Sequence, residues 1–230
     1  MRFAKLGTER IEASPGGKAT CPACGGSVLA KCGRIRIWHL AHKSAACPIK
    51  KEPETPWHRD WKLHFPDDWQ EVLHVGEDGF RNIADIRSLA GLFVEFQHSH
   101  IDLNERESRE VAYGTLVWVV DGTRLKRDKP SFFGHLRTKK MVGQSRAVFE
   151  FTATVSTITQ RWRNSYCVVY FDFGDAVLWR MNLEVVGWKS FMEPIQKSEF
   201  VRAILDGEEP IAMSVLELDS VQWRPQDIPF

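Results

Sequence analysis

Four of the five cysteines fall between positions 21 and 47, in "CPACGGSVLAKCGRIRIWHLAHKSAACP". Cys21 and Cys24 form a Cys-x-x-Cys, with Pro22 and Gly25-Gly26 making a tight knuckle, and His39, His42 and Cys47 follow. Thiolates and imidazoles crowded in this way suit tetrahedral zinc. Cys21 and Cys24 supply one half of the ligand set. The other half is His39 with His42, or one of them with Cys47; Cys32 is set aside at a turn. A second chemical group lies in "VEFQHSHI", residues 94–101. Side chains two apart on a strand share a side, so Glu95 and Gln97 stand together as carboxylate and amide. Such a pair is either an ordinary half-exposed strand face or half of a metal site.

The elements that must position these groups are legible in outline. "SVLAKCGRIRIWHL" reads as a β-hairpin turning at Cys32-Gly33. Pro53 and Pro56 mark a helix entry with Thr55 as N-cap, Pro66 stops that helix, and His58 and Lys62 share one face as i and i+4. Strands are expected at 70–75, at "RNIADIRSL" carrying Asp85, and at "LFVEFQHS" carrying Glu95. The tight "AG" turn between the last two implies an antiparallel hairpin. "DLNERESREVAYG" is a helix with Asp102 or Asn104 near its N-cap and with Glu105, Arg109 and Tyr113 along one stripe, a structural brace. "TLVWVVDG" is apolar enough for a buried central strand. Beyond it, "AVFEFTATVSTITQRW" alternates like a strand, "SYCVVYFDFGDAVLWRMN" reads as a hairpin turning at Gly174-Asp175, and "SEFVRAILDG" as a helix ending at Gly207. Trp162, Trp179, Trp188 and Trp223 are expected in the core, and Cys167 as a buried, inert thiol.

Length and charge set the frame. A chain of 230 residues suits one large domain or a core with appendages. Its apolar content of 43% and mean hydropathy of −0.31 are those of a globular protein. No apolar run approaches the ~18 residues of a membrane helix, and residues 1–12 lack the apolar stretch of a secretory signal. A cytoplasmic protein with no membrane partner is expected, and there clustered cysteines favour metal over disulfides. The net charge of +1 is unevenly spread: residues 1–51 carry ten Lys/Arg and two acids, Glu9 and Glu12. A basic head suggests a polyanion contact, and a second basic cluster runs through "RLKRDK" and "RTKK", with Lys126, Arg127, Lys139 and Lys140 as candidate substrate contacts.

An acid on one strand and Glu-x-Gln on the next, flanked by helices, is the layout of the PD-(D/E)XK nuclease fold. The string "CPACGG…IWHLAHKS…EPETPWHRDWK…ADI…VEFQHSHI…ERESREVAYG…LVWVVDG" resembles the CoiA-like competence protein family, with the box "HLAH" at 39–42 and Asp85 paired with "EFQHSHI". The resemblance spans roughly residues 20–122. It implies an α/β fold with a mixed sheet: a zinc-ribbon-like head at 1–50, a restriction-endonuclease-like core at 51–123, and a β-rich extension at 124–230. It further implies that Asp85 and Glu95 bind Mg²⁺ or Mn²⁺, that Gln97 stands where such nucleases usually carry lysine, and that His58 and Lys62 assist. Glu54 is a further candidate for the metal, and Glu71 a weaker one.

The reading that follows is a metal-dependent deoxyribonuclease acting on single- or double-stranded DNA, in uptake and recombination or against foreign DNA, with recombination or defence proteins as partners. Its alternative is a DNA-binding module that keeps the fold without catalysis. A zinc-stabilised interaction protein with no nucleic-acid role is a third.

Overall fold

The structure is a computed structural model that describes residues 1–43, 47, 49, 54–76, 79, 81–136, 146–151, 156–186 and 189–220. It is mixed α/β and rich in strand. The chain divides into two compact units, Met1–Arg87 and Ser88–Phe230. The division falls between Asp85 and Glu95, and it puts the cysteine-rich head in one unit with the segment that follows it.

In the first unit, β1 (Phe3–Leu6), β2 (Glu9–Glu12), β3 (Lys18–Thr20), β4 (Ser27–Lys31) and β5 (His39–His42) form an antiparallel sheet in the order β2-β1-β3-β4-β5. The β4–β5 hairpin is as expected, but its turn is not at Cys32-Gly33. Lys31 pairs with His39, so residues 32–38 form a longer loop, with Ile35 fully exposed. The core beneath the sheet is built of small side chains, Ala4, Ala19, Ala23 and Val28 with Leu40. It is completed by Ile83 and Leu73 from the hairpin of β6 (Gln70–Val75) and β7 (Arg81–Arg87). Helix α1 (Pro56–Lys62) starts where expected: Thr55 Oγ1 accepts from the His58 amide at 3.3 Å, and Pro56 takes the first helical position, which needs no N–H.

Polar side chains fasten the head to β6. Arg2 donates from Nε to Glu12 at 2.6 Å and from Nη1 to Asp67 at 2.9 Å and Gln70 at 2.8 Å. Arg10 lies 3.6 Å over the Phe3 ring and donates to the carbonyls of Asp67 and Gln70.

In the second unit, β8 (Phe93–Gln97), β9 (Leu116–Asp121) and β11 (Val168–Asp172) are parallel neighbours. Outward from β11 come β12 (Val177–Val186), β13 (Lys189–Gln196) and β10 (Phe149–Phe151), all antiparallel. All five residues of β8 are buried, as expected for a covered parallel strand. α2 (Leu103–Tyr113) connects β8 to β9, and its N-cap is Asp102, accepting from the Asn104 amide at 2.9 Å. The hairpin at Gly174-Asp175 and the helix α5 (Lys197–Asp206), which ends at a left-handed Gly207, match the sequence reading.

Two segments differ from it. Thr157–Trp162 is helix (α4) and not strand: Ile158 and Trp162, one turn apart, are both buried, and Trp162 packs on Trp118 at 5.2 Å. Tertiary burial here overrides the strand preference of Thr-Ile-Thr. Asp128–Leu136 is a helix (α3) that the basic composition of its entry concealed. Phe132 and Phe133 of α3 pack with Phe173 and Trp179 in the main aromatic core. Trp162 and Trp179 are core residues as expected; Trp188 and Trp223 lie outside the described residues. Cys167 is only half-buried, yet burial pushes its thiol up to about 12, which fits an unreactive group.

Gly122 tests this packing. A Cβ there would lie 2.4 Å from the Phe173 ring, which Phe132 and Phe133 hold in place. Gly122→Ala is expected to cost about 1–3 kcal/mol, read as a lower denaturation midpoint. An unchanged midpoint would mean that Phe173 has room to move.

Candidate functional site

The Cys/His groups converge. The Cys21 and Cys47 thiols, the Cys24 thiol and the His42 ring offer four donor atoms, all within 4.8 Å of one another. The knuckle is drawn by two backbone bonds, Gly25 N–H to Cys21 O at 2.9 Å and Cys21 N–H to Gly26 O at 2.8 Å, with Gly25 at φ 69°. A left-handed turn of this kind is most readily made by glycine. The Gly26 amide donates to Cys24 Sγ at 3.4 Å, and this bond leads the influences that lower the Cys24 pKa. His42 Nε2 is 3.3 Å from the same sulfur. Burial raises the Cys47 thiol.

His39 is not in the cluster; its Nδ1 is 2.9 Å from Ile37 O. The reason is strand parity. His39 and His42 are both on β5 and three residues apart, so they point to opposite faces, and only one can meet the knuckle. The alternative realised is His42 with Cys47, and Cys32 takes no part. Three sulfurs and one imidazole nitrogen at this spacing are the donor set that zinc prefers, so the four residues fit zinc.

A second constellation in the same unit is built of charge. Lys62, at the end of α1, is 3% exposed; its Nζ lies 2.8 Å from Glu54, 3.1 Å from Glu71 and 3.8 Å from Asp85. The β6–β7 register, Gln70 with Ile86 and Val72 with Ala84, sets Glu71 opposite Asp85. Like charges directly opposite on paired strands repel, and Lys62 offsets them. Burial alone would discharge Lys62, but Glu71, Asp85 and Glu54 outweigh it and hold the ammonium above the ordinary lysine range. Burial pushes Glu54 up, and Lys62 with Arg59 more than reverses this, leaving it below the usual carboxylate range.

Glu71 is held from behind as well. It accepts from the Arg2 amide at 2.9 Å and the Phe3 amide at 3.0 Å. Its φ of 46° is rare for a residue with a side chain, and such strain costs on the order of 1–3 kcal/mol. One atom in the group is left over: Glu54 Oε2 is buried without a hydrogen-bond partner among the described residues. His58 is buried beside this cluster in sequence, its Nδ1 2.9 Å from Thr55 Oγ1 and its ring edge-on to Trp57.

Glu95 and Gln97 belong to the second unit. The brace expected of Arg109 and Tyr113 is present: Arg109 Nη1 donates to Glu95 at 3.0 Å and Tyr113 Oη at 2.9 Å. Arg109 also bonds Glu105 at 2.6 Å. Burial lowers the Arg109 pKa, and Glu95 and Tyr113 more than restore it. Gln97 donates from Nε2 to Ser99 O at 3.0 Å. Lys126 and Arg127 are exposed on the segment before α3, and Lys139 and Lys140 lie outside the described residues.

Among the described residues, no helix is long and apolar enough to cross a membrane. Residues 5–50 match the family described as Competence protein CoiA, N-terminal domain. No curated protein and no solved structure matches the chain.

Proposed function

Taking as premise that the chain is a CoiA-like competence protein by its N-terminal domain, we propose that it is a metal-dependent deoxyribonuclease of the PD-(D/E)XK type. The observation that carries this reading is Lys62, a buried ammonium held among Glu54, Glu71 and Asp85. Three acids here face two cations, Lys62 and Arg59, and Glu54 Oε2 is without a hydrogen-bond partner among the described residues. Hard carboxylate oxygens of this kind fit Mg²⁺ or Mn²⁺.

In this reading Asp85 and Glu95 would hold the metal, which when bound lowers the pKa of a water and offsets charge on the scissile phosphate. Lys62 supplies the positive charge absent at Gln97. It stays protonated, so it acts as a cation and not as a base. Arg109 and Tyr113 fix the Glu95 carboxylate, and Gln97, its amide oriented by Ser99, positions the attacking water. His58 is tied to Thr55 and serves as a phosphate contact. The zinc head, Lys126, Arg127, Lys139 and Lys140 bear on the DNA backbone, with recombination or defence proteins as partners.

The test is cleavage of single- and double-stranded DNA with Mg²⁺ or Mn²⁺ by wild type, Asp85→Asn and Glu95→Gln. Losing a metal contact worth several kcal/mol slows cleavage roughly a hundredfold or more, with zinc content and folding unchanged. One observation favours the alternative, a DNA-binding module without catalysis: Lys62 and Arg109 already pair with Asp85 and Glu95. Wild type that binds DNA without cutting it, or cleavage that survives both substitutions, would select that alternative.

A further inference from the structure

The carboxyl ends of β8 and β9 border a cavity of about 250 Å³ within the second unit. Parallel strands of open α/β sheets commonly bind ligands at this end. Four guanidinium side chains line it, Arg106, Arg124, Arg161 and Arg163, together with His98 and Trp162. The two acids that line it are paired with other lining residues or with Thr123. Asp121 Oδ2 is 2.6 Å from His98 Nδ1, and its Oδ1 accepts from the amide and hydroxyl of Thr123. Asp128 pairs with Arg161 at 2.7 Å. Arg106 is 2% exposed; it lies 3.4 Å from Glu110 and donates to Arg161 O at 2.7 Å, and its Nη2 is buried without a hydrogen-bond partner among the described residues.

Arg124 and Arg163 make no hydrogen bond or ion pair among the described residues. Among the residues that line the cavity, four arginines face two aspartates, an excess of two positive charges. A doubly charged tetrahedral oxyanion matches that surplus, and the planar fork of arginine matches its oxygens. A phosphodiester carries only one charge and must extend on both sides. The volume lies below the ~300–1,000 Å³ of ordinary ligand pockets, which suits a terminal phosphate with little more than its sugar. Lys126 and Arg127, two and three residues after Arg124 in the chain, are exposed and add positive charge to this segment.

We propose that this cavity is a phosphate-monoester site that takes the phosphorylated end of a DNA strand. Binding there requires neither Asp85 nor Glu95 nor an added divalent ion, so it stands or falls apart from the cleavage reaction.

The test compares binding of one short single-stranded oligonucleotide bearing a 5′-phosphate, a 3′-phosphate or hydroxyls at both ends. Low salt and no added Mg²⁺ or Mn²⁺ are used, with fluorescence anisotropy as the readout. One phosphorylated strand is expected to bind roughly tenfold tighter than the hydroxyl-ended one. Arg124→Ala with Arg163→Ala removes that advantage and leaves hydroxyl-ended binding within about twofold. Arg163 is exposed and Arg124 half-exposed, so the variant is expected to fold, which circular dichroism checks. Arg124→Lys with Arg163→Ala keeps one charge without the fork and restores part of the advantage.

Equal affinity for all three strands, or an advantage that persists in the double alanine variant, overturns the proposal. A deoxynucleoside monophosphate serves as competitor to identify the source. If it competes weakly, the strand end is the ligand. If it binds as tightly as the phosphorylated strand, the assignment to a strand end is overturned in favour of a free nucleotide.

Discussion

Replacing Lys62 by methionine is expected to lower the stability of the first unit by about 3–5 kcal/mol at neutral pH, the usual consequence of leaving buried charges without their partner. Glu54 and Glu71 are 4% and 3% exposed and Asp85 15%, so water cannot take over the role of the ammonium. The pH dependence distinguishes this cause from lost packing. In wild type the Glu54 pKa is depressed, so its contribution is full above the ordinary carboxylate range and is lost as pH falls from that range through the depressed value. The Lys62 pKa is raised, so its contribution is full below the ordinary lysine range and is lost only in strong alkali. In Lys62→Met the three acids lose the ammonium between them, and Glu54 loses the charge that chiefly holds its pKa down. The variant's deficit is therefore largest at neutral pH and narrows as the solution is acidified. Urea titrations at neutral and mildly acid pH, followed by the fluorescence of Trp57, Trp61 and Trp69, measure both. A deficit that does not change with pH would assign the effect to the lysine stem and not to its charge.

Removing the metal is expected to have a larger effect still. Structural zinc contributes on the order of 10–16 kcal/mol in small zinc-binding peptides. The sheet it would stabilise here rests on Ala4, Ala19, Ala23, Val28 and Leu40, side chains that bury little area. A strong chelator is expected to abolish amide-exchange protection across β3, β4 and β5. Variants identify the ligands: His42→Ala and Cys47→Ser lose zinc by mass spectrometry, whereas His39→Ala keeps it. Zinc retained in His42→Ala and lost in His39→Ala would reverse the assignment.

The parts of this molecule that were legible in the sequence are those fixed by local spacing. Cys21 and Cys24 announce a knuckle because four residues and two glycines suffice to make one. Thr55-Pro56 and Asp102 announce helix starts because caps are short-range devices. The choice between His39 and His42 was also within reach, since residues three apart on a strand cannot share a face. What could not be read is what depends on distant partners. Glu71 looks like a surface acid in an alternating strand; its role follows from the amides of Arg2 and Phe3 and from Lys62. Thr157–Trp162 carries strand-forming residues, and only Trp118 and Arg106 around Trp162 explain why it is helical. The four arginines of the phosphate cavity come from a helix, two loops and the end of a second helix, with no common spacing to reveal them. The entry to α3 reads as a basic surface because composition shows charge and not the buried Phe132 and Phe133 behind it.

The bonds from Arg2 and Phe3 to Glu71 have a consequence for modularity. The segment that matches a known domain is 5–50, but the unit that folds around it is Met1–Arg87. A fragment cut to the matched residues would discard Arg2 and Phe3 on one side and Leu73 and Ile83 on the other, and with them part of the floor of its own sheet. The head is therefore not a portable cassette. It shares one foundation with the acid cluster, so any rearrangement that transplanted it alone would have to rebuild that foundation in the new host.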